Sequence, residues 1–174
     1  MIRVVLLGDS CSGKTTIFDT LIYGGSHDSF CTTITPSFGK YLDKHILYDT
    51  PGTDRWVHFA KPYIEVADAA IIVYDVKQGD HSVHKWKKLL FDLNGKEIPV
   101  LVVGNKKDLT TVEKKEKVLY ISCKNETNLG GTFQPFFDTL EHNPKILIGW
   151  VEYVYLLLPK VEDVIDQIPG CLQQ

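Results

Sequence analysis

One segment near the amino end constrains the fold of this chain more than any other feature. It runs Gly8-Asp9-Ser10-Cys11-Ser12-Gly13-Lys14-Thr15 and fits the pattern G-x-x-x-x-G-K-[ST]. The apolar run 2–7 before it predicts a buried strand, and residues 16–22 after it predict a helix. In that context, backbone N–H groups of the loop and of the helix N-terminus point into one cavity, which favours a bound phosphate chain.

The residue types of this loop suit that role. Gly8 and Gly13 let the backbone adopt conformations that a side chain forbids, so it can approach a phosphate closely. The Lys14 ammonium is predicted to reach the β- and γ-phosphates, and the Thr15 hydroxyl to bind Mg²⁺. The predicted phosphate-binding residues are Ser10, Cys11, Ser12, Gly13, Lys14, Thr15 and Thr16.

Length, charge and cysteine content narrow the class of protein. The chain has 174 residues, the size of one domain, and a formal net charge of −3. Nucleic-acid binding needs a positive face, so the acidic balance argues against nucleic acid as the main partner. The four cysteines show no C-x-x-C spacing. We therefore expect neither a zinc site nor a disulfide framework, and a cytoplasmic location.

Strand-like apolar runs alternate with helix-length segments along the chain. This alternation predicts an α/β fold with a mostly parallel sheet covered by helices on both faces. The further predicted strands are 37–42, 45–48, 69–74, 100–103 and 118–121, the first two forming a hairpin through Asp43-Lys44. The further predicted helices are 82–93, 132–140 and 145–158.

A second motif, Asp49-Thr50-Pro51-Gly52, follows a predicted strand. The carboxylate of Asp49 is placed to hold Mg²⁺, through water, as a Walker-B aspartate does. The N–H of Gly52 can reach the γ-phosphate with no side chain in the way. The ends of strands in such sheets are where ligands bind, so we expect this turn to face the glycine loop.

A third motif, Asn105-Lys106-Lys107-Asp108, follows the strand 100–103 and predicts the base. The carboxylate of Asp108 can accept hydrogen bonds from the N1–H and the exocyclic amine of guanine. Adenine offers no such pair and would leave the carboxylate unpaired, so GTP is expected and ATP is rejected. The stem of Lys106 can cover the base, and Asn105 can tie this loop to the phosphate loop.

The fourth motif, Ser122-Cys123-Lys124, follows the last predicted strand. A backbone N–H of this segment can donate to guanine O6, and the stem of Lys124 can pack on the other face of the base. This motif is a weak indicator by itself and is informative only because it follows the other three in this order.

These four motifs, in this order, resemble those of the Ras superfamily of small GTPases, with the Rab branch as the closest match. Rab-like segments are Gly8-Asp9-Ser10, Asp54-Arg55-Trp56, Val73-Tyr74-Asp75 and Val102-Val103-Gly104-Asn105-Lys106. The resemblance covers residues 1–142 and implies a P-loop NTPase fold with three αβα layers, the small G-protein fold. It implies a GTPase and molecular switch that binds GTP and GDP with Mg²⁺. An exchange factor, an activating protein and effectors are its implied partners.

The resemblance also implies a switch threonine that reaches Mg²⁺ and the γ-phosphate. Cys31-Thr32-Thr33-Ile34 points to Thr33, and Thr32 and Thr35 remain alternatives. The implied metal ligands are Thr15, Thr33 and Asp49. The implied catalytic residues are Lys14, Thr33, Gly52 and Thr53.

Three positions in the GTPase region depart from the family pattern. Thr53 stands where the family has a glutamine that orients the attacking water, which predicts slow GTP hydrolysis. Ser26 stands where the family has an aromatic residue on the base, with Tyr23 or Phe30 as possible substitutes. Residues 110–117 are too few and too charged for the helix that the family has there, so we expect a loop.

The carboxyl end also departs from the family. Residues 143–174 are predicted to form a divergent extension whose apolar helix, 146–158, packs on the GTPase domain. An oligomer or partner interface and a membrane-surface segment are the alternatives. Cys171 lies in a C-a-a-X-like end, which leaves lipidation and peripheral membrane attachment open.

Two functions from different classes follow. The first is a Rab-like switch in membrane traffic or signalling that hydrolyses GTP slowly. The second is a binding module that holds GTP or GDP with little or no hydrolysis and acts as an interaction protein. A P-loop kinase is disfavoured, because the residues 105–108 would have no use there.

Overall fold

The computed structural model describes residues 1–25, 32–111, 113 and 115–142. The predictions for Ser26, Phe30, Cys31, the helix 145–158, the remainder of 143–174 and Cys171 lie outside the described residues. None of the helices in the described part of the chain is long and apolar enough to cross a membrane.

The described chain forms a six-stranded sheet in the order β2-β3-β1-β4-β5-β6. The strands are β1 (Ile2–Leu7), β2 (Ser37–Tyr41), β3 (His45–Asp49), β4 (Ala69–Asp75), β5 (Val100–Asn105) and β6 (Leu119–Tyr120). All neighbours pair in parallel except β2 and β3, which form the predicted antiparallel hairpin. The predicted mostly parallel α/β fold is confirmed.

The helices cover both faces of this sheet. They are α1 (Lys14–Tyr23), α2 (Lys61–Glu65), α3 (His81–Asn94) and α4 (Leu129–His142). One buried cluster joins the sheet to α1 and α4, and a second joins it to α2 and α3. Along β1, Val4 and Leu6 belong to the first cluster, and Val5 and Leu7 to the second. Burial on both faces explains why the four consecutive residues 4–7 are all apolar rather than only alternate ones.

The structure differs from the predicted elements in several places, among them a 3₁₀ turn at Val57–Phe59 and the helix α4, which begins at Leu129 rather than at 132. The last strand is Leu119–Tyr120 rather than 118–121, and the short helix α2 was not predicted. Residues 107–109 form a single 3₁₀ turn after β5. The expected loop at 110–117 is confirmed in the described part of that segment, where no helix occurs. There, Lys115 donates its N–H to the hydroxyl of Tyr120 and its ammonium to Asp80.

The parallel strands bring the four motifs to one edge of the sheet. The glycine loop follows β1, Asp49 ends β3, Asn105 ends β5, and Ser122 comes shortly after β6. The register places Leu6 opposite Asp49 and Asp75 opposite Asn105. This edge is where the carboxyl ends of the strands leave a crevice for a ligand.

Candidate guanine-nucleotide site

The phosphate loop takes a backbone course that requires glycine at two positions. Gly8 has a φ of 140° and Gly13 a φ of 101°. A Cβ on Gly8 would lie 2.0 Å from the carbonyl oxygen of Val73, and one on Gly13 would lie 2.1 Å from Nδ2 of Asn105. Both glycines therefore let the loop pack against β4 and β5. A side chain at Gly8 would meet the backbone of β4, and one at Gly13 would displace the Asn105 amide.

Lys14 is a buried cation at the start of α1. Its residue is only 5% exposed, and its ammonium donates to the carbonyl oxygens of Gly8 at 2.9 Å and Asp9 at 2.8 Å. Burial lowers the pKa of Lys14 to about 8, against the opposing effect of the Asp49 and Asp9 carboxylates. An anion beside this ammonium would favour its charged form, so the site fits a phosphate.

Three side-chain oxygens converge beside Lys14. The Thr15 hydroxyl lies 2.9 Å from the Thr33 hydroxyl and donates to Oδ2 of Asp49 at 2.7 Å. The Thr33 hydroxyl is 3.4 Å from the same carboxylate oxygen. Thr32 and Thr35 are exposed.

The chemistry of this cluster fits Mg²⁺. Asp49 is 1% exposed, and its Oδ1 has no hydrogen-bond partner among the described residues. Burial raises the pKa of Asp49, although the Thr15 hydrogen bond and the Lys14 charge act in the opposite direction. A buried carboxylate with a spare oxygen and two neighbouring hydroxyls offers the hard ligands that Mg²⁺ prefers. Thr15, Thr33 and Asp49 are therefore the residues that would hold the ion.

The turn after β3 lies directly against the phosphate loop. A Cβ on Gly52 would be 2.5 Å from the Lys14 ammonium and 2.6 Å from the Gly8 carbonyl oxygen. The Thr50 hydroxyl fixes the start of the turn by donating to the Leu6 carbonyl at 2.6 Å. Thr53 comes next, and its hydroxyl is buried without a partner in the described part of the chain.

Asn105 joins the base-binding segments to the phosphate loop. Its Nδ2 donates to the carbonyl of Ser12 at 2.9 Å. Its Oδ1 accepts the N–H of Lys106 at 2.8 Å and the N–H of Cys123 at 3.1 Å. At 2% exposure this amide is a buried connector that joins its own segment to the phosphate loop and to the segment 122–124.

The Asp108 carboxylate is oriented by a hydrogen bond from the fourth motif. Ser122 donates its hydroxyl to Oδ1 of Asp108 at 2.6 Å. This hydrogen bond lowers the pKa of Asp108, so the group remains an ionised acceptor. Asp108 and Lys124 are exposed at the mouth of the crevice. Burial raises the pKa of the Cys123 thiol to about 12, and the backbone N–H of Cys123 donates to Asn105.

The remaining predicted phosphate-loop residues differ in burial: Ser12 is 1% exposed, and Ser10 and Thr16 are partly buried. Cys11 is exposed, with a φ of 61°, and its sulfur is 3.7 Å from the Ser10 hydroxyl. Thr16 follows Thr15 in the first turn of α1. The structure thus brings the predicted residues of the phosphate loop, the second motif and the base segments to one crevice, and their individual roles stay predictions.

Two supporting residues were missed by the sequence reasoning. Trp86 on α3 is fully buried, and its indole N–H donates to Oδ1 of Asp9 in the phosphate loop at 2.8 Å. Asp75 at the end of β4 pairs with the Lys106 ammonium at 2.8 Å. The aspartate that ends a buried apolar run was a signal for the second contact. Nothing in the sequence distinguished Trp86 from an ordinary core residue of its helix.

Comparisons with known proteins agree with this arrangement. A family described as Roc, "Ras of Complex, Roc, domain of DAPkinase", matches residues 3–108. The Ras-related protein Rab-31 of Rattus norvegicus is 31% identical over 155 residues, covering 76% of this chain and 80% of that protein. Human Rab-31 is 30% identical over the same coverage.

A second relative matches over a shorter region. The Ras-related protein Rab-21 of Mus musculus is 36% identical over 117 residues, covering 62% of this chain and 52% of that protein. The matches agree with the phosphate, metal and base segments assembled at one edge of the parallel sheet. This chain therefore belongs to the Ras superfamily of small GTPases, as a Rab-like GTP-binding switch.

Proposed function

We propose that this Rab-like protein binds GDP and GTP together with Mg²⁺ and hydrolyses GTP slowly. The observation that carries the proposal is the convergence of the Thr15, Thr33 and Asp49 oxygens beside the buried Lys14 ammonium. A cation and a set of hard oxygen ligands side by side suit a metal-bound polyphosphate and little else.

Phosphate binding and metal binding are assigned to different groups of the site. Backbone N–H groups from Ser10 to Thr16 and the Lys14 ammonium bind the phosphates, and Thr15, Thr33 and Asp49 hold Mg²⁺. When bound there, Mg²⁺ would supply positive charge beside the phosphate oxygens. Gly52 offers its N–H to the γ-phosphate. Contacts from Thr33 and Gly52 make their two loops sensitive to whether that phosphate is present, which is the basis of a switch.

Base selection falls to the exposed end of the crevice. Asp108 accepts the two hydrogen bonds that guanine offers, and the stems of Lys106 and Lys124 pack on its two faces. A backbone N–H of the segment 122–124 is proposed to donate to guanine O6. Because adenine would leave the Asp108 carboxylate unpaired, selection against ATP is expected to be strong.

Thr53 sets the expected rate of hydrolysis. Its side chain is shorter than the glutamine of the family and carries no amide to orient a water molecule. The buried, unpartnered hydroxyl also supports the second candidate, a guanine-nucleotide-binding module that scarcely hydrolyses GTP. The two candidates share every binding residue and differ only in turnover.

Binding and turnover are tested separately. Calorimetric titration with GDP, a GTP analogue and ATP, each with Mg²⁺, tests binding, and we expect the guanine nucleotides alone to bind tightly. Equal affinity for ATP would contradict the proposal and revive a P-loop kinase. Single-turnover GTP hydrolysis then compares the wild type with Thr53→Gln. A faster variant supports the slow switch, and no gain removes Thr53 as the cause.

Location and the carboxyl-terminal region complete the proposal. We place the protein in the cytoplasm, in membrane traffic or signalling, with peripheral membrane attachment through Cys171 or 146–158 as an option. Residues 143–174 are proposed to pack on 1–142. Truncation after His142 should lower the melting temperature, whereas an unchanged melting temperature contradicts packing. Mass spectrometry of protein from its native cell tests lipidation of Cys171.

A further inference from the structure

Asp75 is held in place through both oxygens of its carboxylate. It ends β4, directly across the sheet from Asn105 on β5, and its side chain is 9% exposed. Oδ1 accepts the backbone N–H of Lys77 at 2.9 Å, and Oδ2 accepts the ammonium of Lys106 at 2.8 Å. The sheet register and the Lys77 contact therefore fix the position of this negative charge.

Lys106 is fixed at its other end by its backbone. Its φ is 65°, a left-handed conformation, and its N–H is bound by Oδ1 of Asn105. Since the backbone and the ammonium are both held, the four-carbon stem between them has few conformations left. An unanchored lysine would lose that rotamer freedom only when a ligand binds.

We propose that Asp75 is a positioning residue for base recognition: by holding the Lys106 ammonium, it keeps the lysine stem against the face of bound guanine. The inference rests on the proposed function, because it requires a base beside Lys106. It extends that function by assigning to β4 a part in holding the nucleotide. The competing explanation is an ion pair that only ties β4 to the loop after β5.

The main variant is Asp75→Asn, which keeps the volume and an acceptor for Lys77 but removes the charge that holds Lys106. Asp80→Asn is the matched control. Asp80 also binds a lysine at 2.8 Å, Lys115, but this pair is more exposed and Lys115 lies outside the four nucleotide motifs. Each change therefore removes one carboxylate charge and one lysine pair.

The first measurement is release of a fluorescent GDP analogue with Mg²⁺. We expect Asp75→Asn to release it about fivefold to twentyfold faster than the wild type, and Asp80→Asn within about twofold. Wild-type release from Asp75→Asn, or equal acceleration by both variants, would overturn the inference. If Asp75→Asn does not fold, Asp75→Glu replaces it, because a longer carboxylate displaces the ammonium. Its release should also be faster, and a wild-type rate would overturn the inference.

Two further measurements separate positioning from a merely structural role. In a Lys106→Met background, the Asp75 substitution should have no additional effect on GDP release, because the side chain that it positions is gone. Binding of inorganic tripolyphosphate with Mg²⁺, which has no base, should be the same for wild type and Asp75 variant. Additive effects, or an equal loss of tripolyphosphate affinity, would contradict positioning.

The outcomes also distinguish this inference from the proposed function. If the wild-type protein binds ADP as tightly as GDP, both the proposed function and the inference are contradicted. If the wild type prefers GDP and the Asp75→Asn variant releases GDP at the wild-type rate, only the inference is contradicted.

Discussion

The two halves of the crevice differ in how deeply their polar side chains are buried. The phosphate half comprises residues 8–15, Thr33, Asp49 and Gly52, and the base half comprises residues 105–108 and 122–124. In the phosphate half, Lys14 is 5% and Asp49 1% exposed. In the base half, Asp108 and Lys124 are exposed, and only the connector Asn105 and Ser122 are fully buried.

From this difference we expect the phosphate half to supply most of the affinity and the base half most of the specificity. The phosphate half consists largely of backbone groups and buried polar atoms, so its shape is a property of the fold. The base half presents side chains at a rim, which can be exchanged without disturbing the core. Substitutions in the first half should therefore affect stability and binding together, and those in the second should mainly affect the choice of ligand.

The largest effect is expected from Gly13→Ala. The new Cβ would clash with Asn105 and require a side chain at a φ of 101°, so the variant should lose about 1–3 kcal/mol of stability. Its GDP affinity should fall by more than about a hundredfold. Gly24→Ala is the control, since Gly24 also has a positive φ, 77°, but open space around it. Thermal unfolding measures the stability of both variants, and calorimetry measures their GDP affinity. Normal GDP binding by Gly13→Ala would contradict the distinction between the two halves.

Asp108→Asn should change ligand choice with little loss of stability. The carboxylate is exposed, and its replacement removes one of the two acceptors that guanine needs, so GDP affinity should fall about thirtyfold, or about 2 kcal/mol. Lys107→Met is the neighbouring control, because the Lys107 ammonium contacts Glu126 rather than the crevice. Competition between GDP and ADP gives the readout. An unchanged preference for GDP would remove Asp108 from base selection.

Thr33→Ala should act on the triphosphate form alone. Its hydroxyl lies in the proposed metal cluster, so affinity for a GTP analogue with Mg²⁺ should fall about tenfold, or about 1.4 kcal/mol, while GDP affinity stays nearly constant. Thr32→Ala, one position away and exposed, should change neither. Titrations with and without Mg²⁺ distinguish the cases. The reverse ranking of the two variants would transfer the switch role to Thr32.

The smallest effect concerns a pair outside both halves. Burial raises the pKa of Asp68, but the side-chain and backbone hydrogen bonds from Arg3 outweigh it, and the net pKa lies below its usual range. The pair therefore stabilises the fold above the unfolded-state pKa, about 3.9, and this contribution is lost as pH falls through the folded pKa.

Asp68→Asn tests that pair by urea unfolding. Because the side chains of Arg3 and Asp68 are 40% and 37% exposed, the variant should lose only about 1 kcal/mol or less at pH 7. The difference from wild type should shrink in acid. A difference that grows on acidification would contradict the pKa direction.

Much of the fold was readable from local patterns. The continuous apolar runs of β1 and β4 predicted strands buried on both faces, and the hairpin of β2 and β3 followed from its spacing. The short helix α2 was missed because its residues, Lys61–Glu65, have too few turns for a periodic pattern. The last strand is shorter than its apolar run, since only Leu119 and Tyr120 are in register with β5, and the Ile121 N–H makes one further bond to the Gly104 carbonyl.

The site divides in a similar way. Local sequence alone predicted the phosphate loop, Asp49, Asn105 and Asp108 as site residues, because each belongs to a motif at the end of a predicted strand. Only the tertiary structure decided that Thr33, from a loop without periodicity, lies beside Thr15. It alone revealed Asp75 beneath Lys106 and the Trp86 indole on Asp9. The reason is physical: these contacts join residues distant in sequence, so they depend on strand register and helix packing, which no local pattern encodes.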